Sequence, residues 1–220
     1  LALVFEPALP DGSIVSHRRG SGNFSLIIRG RSAHAGRDFH AGRNAVVAAA
    51  KAALRLQALT GTFPELTVNV ASIDGGAPVN VVPDLAVVRF NIRFDRADDE
   101  MAIVQKISDI KYDICNSGGI TAELHGRVGA PPKPLNEPTR RLLDTLHRCG
   151  RELGLDLSFA PTGGVCDGNR LAAAGLPTID TLGPRGAEIH SPREFLLLDS
   201  LTERAKLAFL MMCHVAQGGF

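Results

Sequence analysis

Apolar and polar positions change period in a regular succession between residues 23 and 128, and that succession predicts a domain. Asn23 to Gly30 reads as a strand, and Asn44 to Leu59 carries alanine and leucine at helical spacing between Gly42 and Gly61. Leu66 to Ile73 alternates Val68, Val70 and Ile73 with smaller or polar residues. Asp84 to Phe94 is a second β-rich run, reached through the turn-forming stretch Gly75 to Pro83. From Asp98 to Asn116, Met101, Val104, Ile107, Ile110 and Ile114 recur at helical intervals as one apolar stripe, which Gly118-Gly119 ends. Ile120 to Val128 is a last strand. The order β-α-β-β-α-β is that of a ferredoxin-like sandwich, an antiparallel sheet with two helices on one face, expected over 20–130.

The flanks follow a different rule. Leu1 to Glu6 is an apolar strand pattern ending in a carboxylate before Pro7, which cannot continue a central ladder. Asp11-Gly12 marks a hairpin, and the polar stretch Ser16 to Gly22 a crossing between domains. Pro131-Pro-Lys-Pro134 is a stiff connector on the other side. Beyond it come a helix over Thr139 to Leu153, a strand over Leu155 to Phe159, a loop from Pro161 to Asn169, a helix over Arg170 to Ala174 and a strand over Leu176 to Thr181. Such α/β alternation implies a parallel sheet. Two capping boxes compete for the last helix, Ser191-x-x-Glu194 and Ser200-x-x-Glu203. The second fits better, because Phe195 to Leu198 looks extended and Leu201 to Val215 carries the helical stripe. The expected architecture is an α/β domain in two pieces, 1–19 and 131–220, interrupted by the ferredoxin-like domain.

Composition narrows the function classes. With 220 residues, 45% hydrophobic and 21% charged, the chain is long enough for one sizeable core or two small ones. A formal charge of +1 and the lack of any Lys/Arg block give no attraction for nucleic acid or a membrane surface, and ten Phe, one Tyr and no Trp offer few stacking platforms. A small-molecule or peptide partner is expected instead. Cys115, Cys149, Cys166 and Cys213 lie far apart with no Cys-x-x-Cys pair, which argues against a disulfide scaffold or zinc knuckle and favours a reduced, cytoplasmic compartment. The chain opens at Leu1 on a strand pattern rather than at a methionine, so an N-terminal portion is expected to precede it, together with any targeting signal.

Candidate chemistry gathers at strand ends. His190 lies in a Gly/Pro-rich loop beyond the run Leu176 to Thr181, where open α/β sheets place their sites. On its own it reads more readily as a loop residue than as a metal ligand or a proton carrier. Taken alone, Glu6 reads as a solvated carboxylate at a turn and His34 as a loop histidine before a helix. Arg93, taken alone, reads as a surface strand residue paired to Asp95 or Glu123. Cys166 has no histidine near it in sequence and is a poor candidate nucleophile.

Six motifs in register carry more than any one of them: Phe5-Glu6-Pro7, Ser32-Ala-His34-Ala-Gly36, Val79-Asn80-Val-Val-Pro83, Asn91-Ile-Arg93-Phe94, Gly163-Gly164-Val-Cys-Asp167 and His190-Ser191. Together they resemble the dizinc aminoacylase, glutamate carboxypeptidase and succinyl-diaminopimelate desuccinylase family of metallopeptidases, over essentially the whole chain. The resemblance implies an α/β zinc-hydrolase catalytic domain, incomplete here, interrupted by a lid that also forms a homodimer. It implies Glu6 and His190 as ligands to the two zinc ions, and His34 as the imidazole that reaches a partner's site to steady an oxyanion. Asn80 and Arg93 would hold the substrate carboxylate, and Gly163 and Gly164 would offer backbone N–H groups. The family's His-x-Asp motif, bridging aspartate and Glu-Glu pair do not occur in this chain, so the chain alone is expected to be inactive. Val165 and Cys166 depart from the commoner Gly and Thr or Ser, which changes the pocket. The implied reaction is hydrolysis of an amide next to a free carboxylate, in an N-acyl amino acid or C-terminal dipeptide. N-carbamoyl-amino-acid hydrolysis and a non-catalytic dimerisation or binding module are the alternatives.

Overall fold

The computed structural model describes residues 1–116 and 118–219. In chain order the elements are β1 (Ala2–Leu3), β2 (Ile14–Arg18), β3 (Gly20–Arg29), β4 (Ala33–His34), α1 (Ala45–Gln57), β5 (Thr67–Gly75), β6 (Val81–Val82), β7 (Leu85–Phe94), α2 (Glu100–Cys115), β8 (Thr121–Ala130), α3 (Glu137–Glu152), β9 (Phe159–Thr162), α4 (Asp167–Ala173), β10 (Thr178–Ile179), β11 (Gly186–Ala187), β12 (Phe195–Leu196) and α5 (Asp199–Ala216). They divide into two compact units, Gly20–Gly129 and Leu1–Arg19 with Ala130–Phe220.

The unit Gly20–Gly129 is a four-stranded sheet in the order β5-β7-β3-β8, the strand order of a β-α-β-β-α-β sandwich. β3 and β7 pair antiparallel along their whole length, from Gly20↔Phe94 to Arg29↔Leu85. Alternation along both strands sends Phe24, Leu26, Ile28, Val88, Phe90 and Ile92 to one face, where they meet Ala45, Ala49, Ala52 and Leu56 of α1 and Ile103, Ile107, Ile110 and Ile114 of α2. The alanine face of α1 allows the helix to lie close on the sheet, while Asn44 caps its start by accepting from the Val47 amide at 3.0 Å. Gly30 is required where β3 leaves the sheet, since a Cβ there would stand 1.9 Å from the Arg43 carbonyl oxygen.

The other unit has two parallel strand pairs, β1 with β10 and β2 with β9, and an antiparallel pair, β11 with β12. Its core is Ile14, Leu142, Leu143, Leu146, Cys149, Leu157, Ile179, Leu182, Leu207 and Met211, supplied by the buried stripes of α3 and α5 and the strands between. Two expectations fail here. The strand expected at Leu155 to Phe159 forms instead at Phe159–Thr162. Leu157 goes into the core, and the ladder with Ile14 starts from the Ser158 carbonyl, so pairing with β2 and not local pattern sets the register. The last helix does begin after Phe195 to Leu198, but Ser200 is not its cap. Its hydroxyl lies inside the first turn, accepting from the Arg185 amide at 2.9 Å and donating to the Leu197 carbonyl at 2.6 Å.

Candidate active-site residues

Glu6 follows β1 on an extended segment whose ladder with the stretch after β10 continues through Leu182 N to Val4 O, Gly183 N to Glu6 O and Ala8 N to Pro184 O. This close approach needs Gly183: a Cβ there would meet the Glu6 and Phe5 carbonyl oxygens at 2.7 and 2.8 Å. His190 comes after β11, exposed on a turn in which both Glu188 and His190 have positive φ, 58° and 67°. Non-glycine residues held there store strain that surrounding contacts must sustain, and such positions concentrate at functional sites. The turn is braced by the His190 amide donating to Glu194 Oε2 (3.1 Å) and by Arg193 pairing with Glu188 (2.6 Å). Pro7 and Ile189, the chain neighbours of Glu6 and His190, line one apolar cleft with Pro184 and Phe195. The same fold region thus holds both candidate ligands. Carboxylate and imidazole are donors that suit zinc, but among the described residues no group of three or more His, Cys, Asp or Glu comes together. The pair is part of a donor set at most.

Gly163 and Gly164 are exposed on the loop between β9 and α4. The Gly164 amide points to its own Thr162 hydroxyl at 3.3 Å. Cys166 caps α4: its Sγ accepts from the Gly168 amide at 3.3 Å while the Asn169 side chain accepts from the Cys166 amide at 3.1 Å. Burial, with Asp180 adding to it, pushes the thiol above its ordinary range, so Cys166 is a helix cap and not an activated nucleophile.

Beneath this loop lies a buried ion cluster that the sequence reading did not assign. Asp180, with no exposed surface, takes a two-pronged contact from Arg18 (Nε to Oδ2 2.9 Å, Nη2 to Oδ1 2.8 Å) and an ion pair from Lys133 (2.8 Å). Lys133 also donates to the Val15 carbonyl, and Arg18 Nη1 donates to the Gly164 carbonyl at 3.1 Å. Burial alone would push the Asp180 carboxyl up, yet the Arg18 fork and Lys133 outweigh it and hold it below the usual carboxylate range. The signal was present: a lone aspartate inside the apolar run Leu176 to Leu182 must find a cation if that run is buried.

In the unit Gly20–Gly129, His34 and Asn80 come together. β4 and β6 pair antiparallel with His34 opposite Val81, and the Ala35 amide donates to the Asn80 carbonyl at 2.8 Å. His34 is exposed, and its Nδ1 accepts from the Gly36 amide at 3.1 Å, so the neutral ring carries its proton on Nε2 as an outward donor. Arg93 is elsewhere. It sits opposite Ser21 and Thr67 at the far end of β7, where the chain enters the unit, about 27 Å along the strand from Leu85 at ~3.4 Å per residue. Asn80 and Arg93 therefore stand toward opposite ends of β7. Thirteen residues of sequence span the whole sheet because β7 runs its length without a turn.

A peptidase dimerisation domain family matches residues 16–115. The chain carries an M20 peptidase dimerisation domain. It is also homologous to succinyl-diaminopimelate desuccinylases: 31% identical over 191 residues to that of Bordetella pertussis, covering 84% of this chain and 48% of the relative, and 28% identical over 216 residues to that of Thioalkalivibrio sulfidiphilus, covering 94% and 55%. Among solved structures, the aminopeptidase PepT of Bacillus cereus superposes with a TM-score of 0.83 at 25% identity, over 97% of this chain and 57% of that one. A Bacillus subtilis protein described as a dinuclear metal-binding peptidase of the M20 family shares the fold, with a TM-score of 0.72 at 19% identity over 95% of this chain and 55% of that one. The chain spans about half the length of the curated relatives it matches.

Proposed function

We propose that the chain is part of a zinc-dependent amidohydrolase that cleaves an amide bond beside a free carboxylate, in an N-acyl amino acid or C-terminal dipeptide, and that works as a homodimer. The observation that supports this reading is the β4–β6 pair, which joins the segments of His34 and Asn80, with the Ala35 amide donating to the Asn80 carbonyl and His34 exposed, its Nδ1 taken by the Gly36 amide. A neutral imidazole donor costs no charge desolvation in the ground state and strengthens as negative charge develops on a carbonyl oxygen. Asn80 adds a neutral amide, and Arg93 the cationic fork that matches a carboxylate. Glu6 and His190 supply two donors toward the metal ions, and further ligands and a general base belong to sequence outside this chain. Kinship with desuccinylases, which are hydrolases by name, supports the reaction class.

The test is a panel of N-acyl amino acids and dipeptides, each with a carboxamide twin, offered to the longer protein loaded with zinc. Turnover of carboxylates with loss of at least tenfold in kcat/KM for the twins is expected. Equal turnover of the twins would remove the carboxylate specificity, and zinc-dependent turnover by the 220-residue chain alone would overturn the division of ligands.

A further inference from the structure

Arg93 does not stand alone on its strand. Asn91, two residues back on the same face of β7, accepts from Arg93 Nε through Oδ1 at 3.0 Å. The amide nitrogen of Asn91 is itself tied to β3: Nδ2 lies 3.0 Å from Ser21 Oγ, 3.0 Å from the Gly22 carbonyl and 2.7 Å from Asn23 Oδ1. Strand register accounts for this. Asn91 stands opposite Asn23 on one side and Asn69 on the other, and Arg93 opposite Ser21, so two cross-strand rows hold the amide in one orientation.

We infer that Asn91 is a positioning residue for substrate-carboxylate recognition, acting through Arg93; this rests on the reading of Arg93 given above. A guanidinium can meet a carboxylate with its Nε and one Nη or with its two Nη groups. By engaging Nε, the Asn91 oxygen fixes the orientation of the guanidinium plane. Because the amide donors are anchored on β3, its oxygen cannot turn away without losing contacts at Ser21, Gly22 and Asn23. The arginine's rotamer freedom is thereby spent on folding and not on binding. An isolated Asn on a solvent-facing sheet row would be free to point either end anywhere; here each end has a separate task.

Two measurements test it. In the 220-residue chain, NMR of the arginine Nε–Hε groups is expected to show a slowly exchanging Arg93 signal that becomes fast-exchanging in Asn91→Ala. In the longer protein, Asn91→Ala is expected to raise KM for carboxylate substrates about tenfold with kcat changed less than about twofold, and to leave carboxamide analogues unaffected. In an Arg93→Ala background the same substitution should add nothing, which a merely structural role for Asn91 would not produce. If Arg93→Ala raises KM and Asn91→Ala does not, the inference is overturned and the reading of Arg93 stands. If Arg93→Ala leaves KM unchanged, both fall, even where the NMR contact is confirmed. An Asn91 effect that persists without Arg93 also overturns it.

Discussion

Asp180 shows how much one residue can be asked to carry. Two cations, Arg18 and Lys133, converge on a carboxylate with no access to water, and each also holds a backbone carbonyl. Removing the carboxylate leaves two buried cations facing each other, and breaking such a cluster typically costs about 3–5 kcal/mol. Asp180→Asn is therefore expected to lower the thermal midpoint by roughly ten degrees or more, measured by circular dichroism. The pH sign follows from the depressed carboxyl. Its stabilisation is fully present above the ordinary carboxylate pKa near 3.8 and is lost as pH falls through the lower, folded value. An acid titration of stability should show that loss in the native chain below about pH 4 and not in Asp180→Asn. If both lose stability in parallel, other carboxylates dominate and the assignment is wrong.

At the scale of elements, the strand end that carries Glu6 depends on what faces it. The segment after β10 lies against Glu6 only because residue 183 has no side chain. Gly183→Ala must separate the two segments, an overpacking change that costs about 1–3 kcal/mol and moves Glu6. The expected result is a lower thermal midpoint in the chain and weaker zinc binding in the longer protein, read by competition with a chromogenic chelator. Unchanged zinc affinity in a folded Gly183→Ala protein would count against Glu6 as a ligand. The capping boxes teach a related lesson. Ser200 has the right sequence spacing but spends its hydroxyl on Arg185 and Leu197, whereas the α4 box is closed by Cys166, a residue type no capping rule favours.

At the scale of the molecule, the homodimer is the question. α1 carries Val47 and Leu54 on its outer face, the latter 74% exposed, and β5 forms an edge of the sheet. Leu54→Glu, at an exposed position, is expected to shift the protein toward monomer in sedimentation if α1 is at the interface; an unchanged dimer would exclude this face of α1. The positions of His34, Asn80 and Arg93 give a sharper test. If His34 and Asn80 serve the partner's site and Arg93 its own, mixing His34→Ala with Arg93→Ala subunits should restore one intact site per heterodimer. Mixing His34→Ala with Asn80→Ala should restore none. Recovery in both mixtures, or in neither despite proven subunit exchange, would contradict the grouping.

Much of this was legible before any coordinates. Period changes between residues 23 and 128 predicted six of the elements of the sandwich in type and order, because each buries one face and a buried face imposes its period on the sequence. The motifs around Glu6, His34, Asn80, Arg93 and His190 likewise stood out as residues. What tertiary structure alone decided was who stands beside whom. β9 took its register from β2, and Asn80 lies against the His34 segment and not beside Arg93 because most of β7 lies between them. Asp180 acquired its two cations from segments 162 and 47 residues away. Local sequence records which face of an element is apolar, but pairing, register and buried charge are settled by contacts between elements distant along the chain, for which no local period exists.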